Sequence, residues 1–297
     1  MAEPWAHRVE YDLFRLVERA FSGLNWKRRS ALGRAVGRLW HAVDARHRGI
    51  ALENVGAAFP EWSAAEVRRL VSANFQHLGV TGAECLGLRS ATAEEVRDRV
   101  RFAGTEHLDE ARARGKGVFL LTGHVGNWEL AGAAMAVNGS PFAAVGKRLA
   151  NGAVDRRVIE LRERFGSRII PHRRAVSQVL RGLGRGELIA FLMDQRPRRN
   201  EAVESRFFGR RVATNHGLAL LALKTGAPVI PVFDERTGEG HVLTFHPALE
   251  PPREGEREER IRRYTALFDE IIEAAVRRRP EQWFWVHRRW RLPWKEA

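Results

Sequence analysis

Apolar residues in the first hundred positions recur every three or four residues. Val9, Leu13, Phe14, Val17, Ala20, Phe21 and Leu24 form one stripe, with Arg8, Glu10, Asp12, Arg15, Glu18 and Arg19 on the remaining face. Leu32, Ala35, Val36, Leu39, Trp40 and Val43 form a second, with Arg28, Arg29, Arg34, Arg38, Arg46 and Arg48 off it. This period predicts amphipathic helices. Phe59-Pro60 breaks the pattern, and Ser63-Ala64-Ala65-Glu66 is a capping box that opens a helix through about Leu88. From residue 100 the texture changes. Short apolar runs predict strands at 118–121, 142–145, 168–170, 188–193, 229–233 and 242–245. Helical segments are predicted between most of them, over about 105–114, 127–137, 152–165, 173–183 and 214–225, and a last long helix opens in the charged stretch 253–263 and runs to about Arg279. Strand–helix alternation predicts an α/β fold, a mostly parallel sheet flanked by helices, preceded by an N-terminal amphipathic helical region. The expected division is 1–99 for the helical region and 100–297 for the α/β domain.

Composition narrows the class. Apolar residues make up 44% and charged residues 29% of the 297, a globular balance that excludes a disordered or collagen-like chain. The net charge of +14 calls for an acidic partner: nucleic acid, an anionic membrane surface or an acidic protein. Nucleic acid is disfavoured, because tyrosine is confined to Tyr11 and Tyr264 and no zinc-finger spacing or RNP-like aromatic motif occurs. Basic amphipathic helices with tryptophan suit a membrane interface, and they equally suit packing on their own domain. Cys85 is the only cysteine, so neither an intramolecular disulfide nor a cysteine metal site can form, and no metal is expected. The start lacks the apolar core of a signal peptide. The longest uncharged run, Leu130 to Gly146, is 17 residues and contains Asn138, Gly139, Ser140 and Pro141. A spanning helix needs about 20 apolar residues, so no transmembrane segment is expected.

The strongest chemical signal lies in Gly117-Val-Phe-Leu-Leu-Thr-Gly-His124-Val-Gly-Asn127-Trp-Glu129-Leu-Ala-Gly132. A strand ending at Leu121 leads into a glycine-containing loop with His124, and a helix begins near Asn127. Strand ends in α/β sheets are where sites form. On one continuous helix His124 and Glu129 would diverge by roughly 140°, unlike a zinc-binding pair. With His124 in the loop, Glu129 in the first helical turns reaches back to the imidazole. A carboxylate on one ring nitrogen leaves the other as a base for a substrate hydroxyl. The loop lacks the Gly-Lys-Ser/Thr of a phosphate-binding loop, the run Gly182–Gly186 precedes a strand instead of following one, and no Gly-x-Ser-x-Gly elbow occurs.

His124-x4-Glu129 is similar to the His-x4-Asp/Glu motif of glycerolipid acyltransferases. Four further stretches resemble one branch of that superfamily, the bacterial lipid A biosynthesis (lauroyl/myristoyl) acyltransferases. They are Asn54-Val-Gly-Ala-Ala-Phe59-Pro60; Asp194-Gln195 with Phe207-Phe208-Gly209 and Ala213-Thr214; Leu221-Ala222…Thr225-Gly226-Ala227-Pro228-Val229-Ile230-Pro231; and Pro280-Glu281-Gln282-Trp283-Phe284-Trp285-Val286-His287-Arg288-Arg289-Trp290. The resemblance runs from about residue 45 to 294.

The resemblance implies transfer of a fatty acyl chain from an acyl thioester, acyl-ACP (acyl carrier protein) or acyl-CoA, to a hydroxyl of a membrane glycolipid, a lipid A precursor first. It implies no cofactor beyond that donor substrate. His124 would deprotonate the acceptor and Glu129 would orient it, with direct attack and no acyl-enzyme. Backbone N–H groups near Gly126 and the helix start are the candidate oxyanion donors. Substrate contacts are expected from Asn127, Arg148, Arg162, Arg164, Asp194 and Gln195, the arginines for their bidentate grip on phosphate. The alternative acceptors are a lysophospholipid or a mannosylated phosphatidylinositol. The basic charge then has two partners, an acidic acyl carrier protein and the anionic leaflet of the bacterial inner membrane. Many members of the family begin with an apolar anchor; with amphipathic helices in that place, the expected attachment is peripheral, on the cytoplasmic face.

Overall fold

The computed structural model describes residues 5–172, 175–238 and 240–294. Five helices come first: α1 (Trp5–Ser22), α2 (Trp26–Val43), α3 (Ala45–Ala58), α4 (Ala64–Gly87) and α5 (Ala93–Arg99). The alternating part follows as β1 (Val100–Ala103), α6 (Thr105–Ala113), β2 (Val118–Thr122), α7 (Trp128–Val137), β3 (Phe142–Gly146), α8 (Gly152–Glu163), β4 (Arg168–Pro171), α9 (Ala175–Gly184) and β5 (Leu188–Leu192). The chain ends with β6 (Ala202–Phe207), β7 (Arg210–Asn215), α10 (Gly217–Thr225), β8 (Val229–Thr237), β9 (Gly240–Phe245) and α11 (Arg257–Arg278).

Local chemistry explains the breaks. Asn25, Asp44 and Ser63 each accept a backbone N–H at the start of a helix, and Ser63 and Glu66 close the capping box that the sequence predicts. Such caps satisfy N–H groups that have no partner inside the helix. The helix predicted over 214–225 begins only at Gly217, because 210–215 pair with β6 as an antiparallel ribbon. Its two-residue turn puts Phe208 at φ 51° and Gly209 at φ 69°, the left-handed values that a tight hairpin turn requires. The first two residues of the helix predicted at 173–183 lie outside the described residues.

The main sheet has the order β1-β9-β8-β2-β5-β3-β4. Every neighbouring pair is parallel except β8–β9. The expected mostly parallel sheet is therefore present. Side chains alternate between its two faces. Leu120, Ala190, Val232 and Leu243 join α7 in one core cluster, while Phe119, Leu121, Ile189 and Phe233 join α10 and α11 in the other. Ala51, Val55 and Phe75 place α3 and α4 in this second core.

The first two helices leave much of their apolar surface outside, although Phe21 and Trp26 are buried and Trp40 packs on Phe75. On α1, Glu18 is buried and paired with Arg157 and Arg89, while Trp5, Val9, Leu13 and Leu16 are exposed. On α2, glycines face inward. A Cβ on Gly37 would lie 2.2 Å from the Phe75 carbonyl oxygen, and one on Gly79 of α4 would lie 2.2 Å from that of Gly33. The backbones of α2 and α4 thus touch, and Leu32, Val36, Leu39 and Val43 are left on the outside. No helix among the described residues is long and apolar enough to cross a membrane.

Candidate active site

The loop between β2 and α7 is clamped from behind. Gly126 adopts φ 63°, and a Cβ there would lie 2.3 Å from the Asp234 carbonyl oxygen. Its N–H donates to the Gln282 carbonyl at 3.0 Å, and its carbonyl accepts from His77 Nε2 at 3.0 Å. The next N–H, of Asn127, donates to Asp234 Oδ2 at 2.6 Å. The Asn127 side chain caps α7 through Leu130 N and donates to Glu84 at 2.8 Å. Arg236 grips Glu84 with two bonds, and His241 lies between Asp234 at 2.7 Å and Glu84 at 3.5 Å. These groups are buried, so each bond is made in a medium where an unmade one would be costly.

His124 lies in this loop as predicted, and its carboxylate partner is Asp194. Asp194 Oδ1 lies 2.8 Å from His124 Nδ1, while Oδ2 accepts from His124 N and from Trp283 Nε1, both at 2.8 Å. Strand register explains the pairing. Thr122 of β2 is opposite Leu192 of β5, and His124 and Asp194 each stand two residues further on. Burial pushes the Asp194 carboxyl upward, but the imidazole, the His124 N–H and the Trp283 indole together bring its pKa down to about 2. An ionised carboxylate on Nδ1 holds the proton there and leaves Nε2 as the basic nitrogen.

The expectation that Glu129 orients His124 is corrected. Glu129 turns towards α8 and makes a forked ion pair with Arg162, with contacts of 3.0, 3.0 and 2.5 Å, and it also accepts from Trp128 Nε1. The other expected substrate contacts divide. Arg162 and Gln195 line the cavity described below, and Gln195 Nε2 is 3.3 Å from His124 Nε2. Asn127 is fully buried and its polar atoms are used in the clamp. Arg148 pairs with Asp155 at the start of α8. Arg164 donates to the carbonyls of Leu88 and Ala91, away from His124. The N–H groups of Gly126 and Asn127 are engaged, so neither is an oxyanion donor.

A cavity of about 590 Å³ opens at His124. On one side of the sheet, Leu120, Ala144 and Ala190 face Ala131, Gly132 and Met135 of α7; on the other, Val145 and Phe191 face Val179 and Leu221. Cys85 lies outside this cavity, and burial pushes its thiol pKa well above the ordinary range, so it is no nucleophile here.

Sequence reasoning named no role for His77, Glu84, Asp234, Arg236, His241 or Trp283. Trp283 stands in a quoted motif; the others belong to no local pattern. The clamp carries a pH signature. Burial lowers the His77 pKa to about 3, and burial lowers that of His287 to about 4 against the pull of Asp194. The unfolded chain therefore binds protons near pH 6.5 that the folded chain refuses, so stability falls as pH drops from about 6.5 towards 4. For His241 burial lowers the pKa, but Asp234 and Glu84 raise it further, so its contribution is lost on the alkaline side instead. Thermal melts of wild type and His77→Gln should diverge at neutral pH and converge near pH 4, since glutamine takes up no proton. Parallel curves would show that His77 is not the titrating group.

The chain matches the family model for bacterial lipid A biosynthesis acyltransferases over residues 19–292. It is 26% identical over 253 residues to a lipid A biosynthesis acyltransferase of Haemophilus influenzae, covering 84% of this chain and 77% of that one. It is 27% identical over 264 residues to the lipid A biosynthesis palmitoleoyltransferase of Escherichia coli K12, covering 88% and 84%. Over a shorter stretch of 156 residues it is 34% identical to a phosphatidylinositol mannoside acyltransferase of Mycobacterium tuberculosis, covering 52% and 49%. With the match to the family model spanning nearly the whole chain, around a histidine–carboxylate pair at the mouth of an apolar cavity, this protein is an acyltransferase and belongs to the bacterial lipid A biosynthesis acyltransferase family.

Proposed function

We propose that this enzyme moves a fatty acyl chain from a thioester of acyl carrier protein or CoA to a hydroxyl of a membrane glycolipid. The observation that carries this reading is His124, tied through Nδ1 to the buried Asp194 at the mouth of the apolar cavity. The thioester's chain lies in the cavity, which brings its carbonyl to the mouth. Nε2 takes the proton of the acceptor hydroxyl as its oxygen attacks the thioester carbonyl carbon. The tetrahedral oxyanion collapses, the C–S bond breaks, and the thiolate leaves with the proton held on Nε2. The Gln195 amide donates to the oxyanion. Glu129 sets the direction of Arg162, which faces the acceptor's phosphate.

A lipid A precursor is the first acceptor, supported by the relatives matched over most of the chain. A mannosylated phosphatidylinositol is the second reading, favoured by the higher identity to the mannoside acyltransferase over half the chain. The test is transfer by the purified protein from labelled acyl-ACP and acyl-CoA to each acceptor. Product on either acceptor supports the reading and chooses between them; no product on any lipid hydroxyl, with protein folded and membrane present, overturns it.

The attachment is peripheral, on the cytoplasmic leaflet where acyl thioesters are supplied. The outward apolar stripes of α1 and α2, with arginines beside them, support this. Leu13→Glu with Val36→Glu should weaken co-sedimentation with anionic vesicles by about tenfold or more, as expected for two apolar side chains removed from the interface. Unchanged binding would exclude these faces as the docking surface.

A further inference from the structure

A second groove, of about 290 Å³, runs between α1, α4, α7 and α8. Its walls are almost wholly apolar: Phe14, Cys85, Leu86, Leu88, Val158 and Leu161. It opens outward at Gly82 of α4, which is exposed and where a Cβ would meet nothing within 4 Å. Glu129, Ala133 and Arg162 line both this groove and the reaction cavity, so they form the partition between the two. Leu161 also lines an adjoining basin of about 280 Å³, with Arg89, Ser90, Arg157, Glu160 and Arg164 as its other walls. Arg157 is held by Glu18 and Glu160, and Arg164 gives Nη1 to the Leu88 and Ala91 carbonyls. The Arg89 side chain is 41% exposed, and its pair with the buried Glu18 is loose, at 3.8 Å. Arg89, Arg157 and Arg164 against Glu18 and Glu160 leave one positive charge in excess. No step of the transfer uses the groove or the basin.

We propose that groove and basin together bind one anionic membrane phospholipid that is not a substrate. Its phosphodiester lies at Arg89, Arg157 and Arg164, and one of its acyl chains lies against Phe14 and Val158. This rests on the membrane attachment proposed above. An apolar well joined to a cationic basin fits an amphiphile with an anionic head. A free phosphate would leave the well empty, and a zwitterionic head would bring its own cation to the arginines. The excess of one positive charge matches the single charge of a phosphodiester. The route is along α1, where Phe14 faces the groove while Leu13 and Leu16 are exposed. A chain leaving the bilayer passes the width of one helix, on the order of 10 Å. The lipid also has a task there. Polar groups tie α1 to α8: Glu18 to Arg157, and the Asn151 amide to the His7 carbonyl and Glu10. A chain beneath Phe14 adds apolar contact in the space that the two helices leave between them.

The experiment uses two photoreactive lipids on the full chain in neutral detergent micelles. One is a phosphatidylglycerol with a diazirine in the middle of one acyl chain; the other is the phosphatidylcholine with the same chain. Adducts are mapped by mass spectrometry. Phosphatidylglycerol is expected to label the 85–88 and 158–161 segments, and phosphatidylcholine to label them about fivefold less, the upper range for one exposed ion pair. Gly82→Leu puts a side chain into the groove and should cut these adducts about tenfold or more. Its melting midpoint should hold or rise, because leucine is the better helix former. Arg89→Gln removes the excess charge and should bring the two lipids within about twofold of each other. Excess inorganic phosphate should leave the labelling in place. Adducts confined to the reaction cavity, as at 131–135 or 175–180, or unchanged labelling of a folded Gly82→Leu protein, would overturn the proposal. So would equal labelling of wild type by both lipids, or loss of the adducts to inorganic phosphate. Labelling in micelles requires neither turnover nor vesicle docking. A protein that transfers nothing, or whose outer faces on α1 and α2 prove irrelevant to vesicle binding, would defeat those readings while the adducts still decide the groove.

Discussion

Replacing Asp194 by asparagine is expected to slow acyl transfer by ~10²–10⁴-fold, and His124→Ala by at least as much. Asparagine keeps the size of the side chain and can still accept from the Trp283 indole. Its amide N–H₂ group cannot accept from Nδ1, so the imidazole loses the partner that holds its proton on that side. The loss should fall on kcat, with the KM for the donor little changed, because Asp194 is buried and absent from the cavity wall. Glu129 and Arg162 are expected to behave as one unit. Glu129→Gln and Arg162→Gln should show the same kind of defect, and the double variant should be no worse than the worse single one. A full-rate Asp194→Asn enzyme, with Glu129→Gln alone shifting the pH dependence of kcat, would return the orienting role to Glu129.

Arg289→Met is expected to destabilise the fold by about 3–5 kcal/mol, roughly 10 °C in the melting midpoint. Arg289 and Asp269 of α11 are both fully buried and lie 2.7 Å apart. Arg289 also donates to Thr214 and to the Ala213 carbonyl, and Thr214 donates to the other Asp269 oxygen at 2.6 Å. The pair ties α11, the β6–β7 ribbon and the C-terminal segment together. Methionine leaves the carboxyl buried without its cation. Burial already pushes the Asp269 pKa upward, and Arg289 is the strongest force opposing it. Without Arg289 the group takes up a proton in the folded state, so the loss should be smaller at pH 5 than at pH 8. Pairing Arg289→Met with Asp269→Leu should recover much of the stability, because no charge then remains inside. Chemical or thermal melts of the three proteins at both pH values check this; a double variant as unstable as the single one would show that the hydrogen bonds to β7, and not the uncompensated charge, carry the effect.

Some features were readable along the chain because their cause is local. A parallel strand buried on both faces reads as an apolar run, and 118–121, 188–193 and 229–233 are such runs. Capping box, loop and helix start near Asn127 follow from residues within a few positions of one another. His124 was legible because it stands between a strand end and a helix start. The β6–β7 ribbon was missed because Ala202–Phe207 gains its strand identity from pairing with β7, and the helix predicted from 214 took in the last two residues of β7.

The amino-acid sequence by itself determined the alternating architecture, the position of His124 between a strand end and a helix start and, through five ordered motifs, the family. Tertiary structure decided which carboxylate pairs with His124. Spacing favoured Glu129, five residues away, but the register of β2 with β5 brings Asp194 from 70 positions downstream. It also decided which expected arginine faces the cavity, and that most of the apolar positions of the α1 and α2 stripes, Leu13 and Val36 among them, point outward. The period of a stripe is written in the order of residues. The side on which it lies is set by a competition: glycines that admit a neighbouring backbone, and a Glu18 that finds Arg157, claim the inside first.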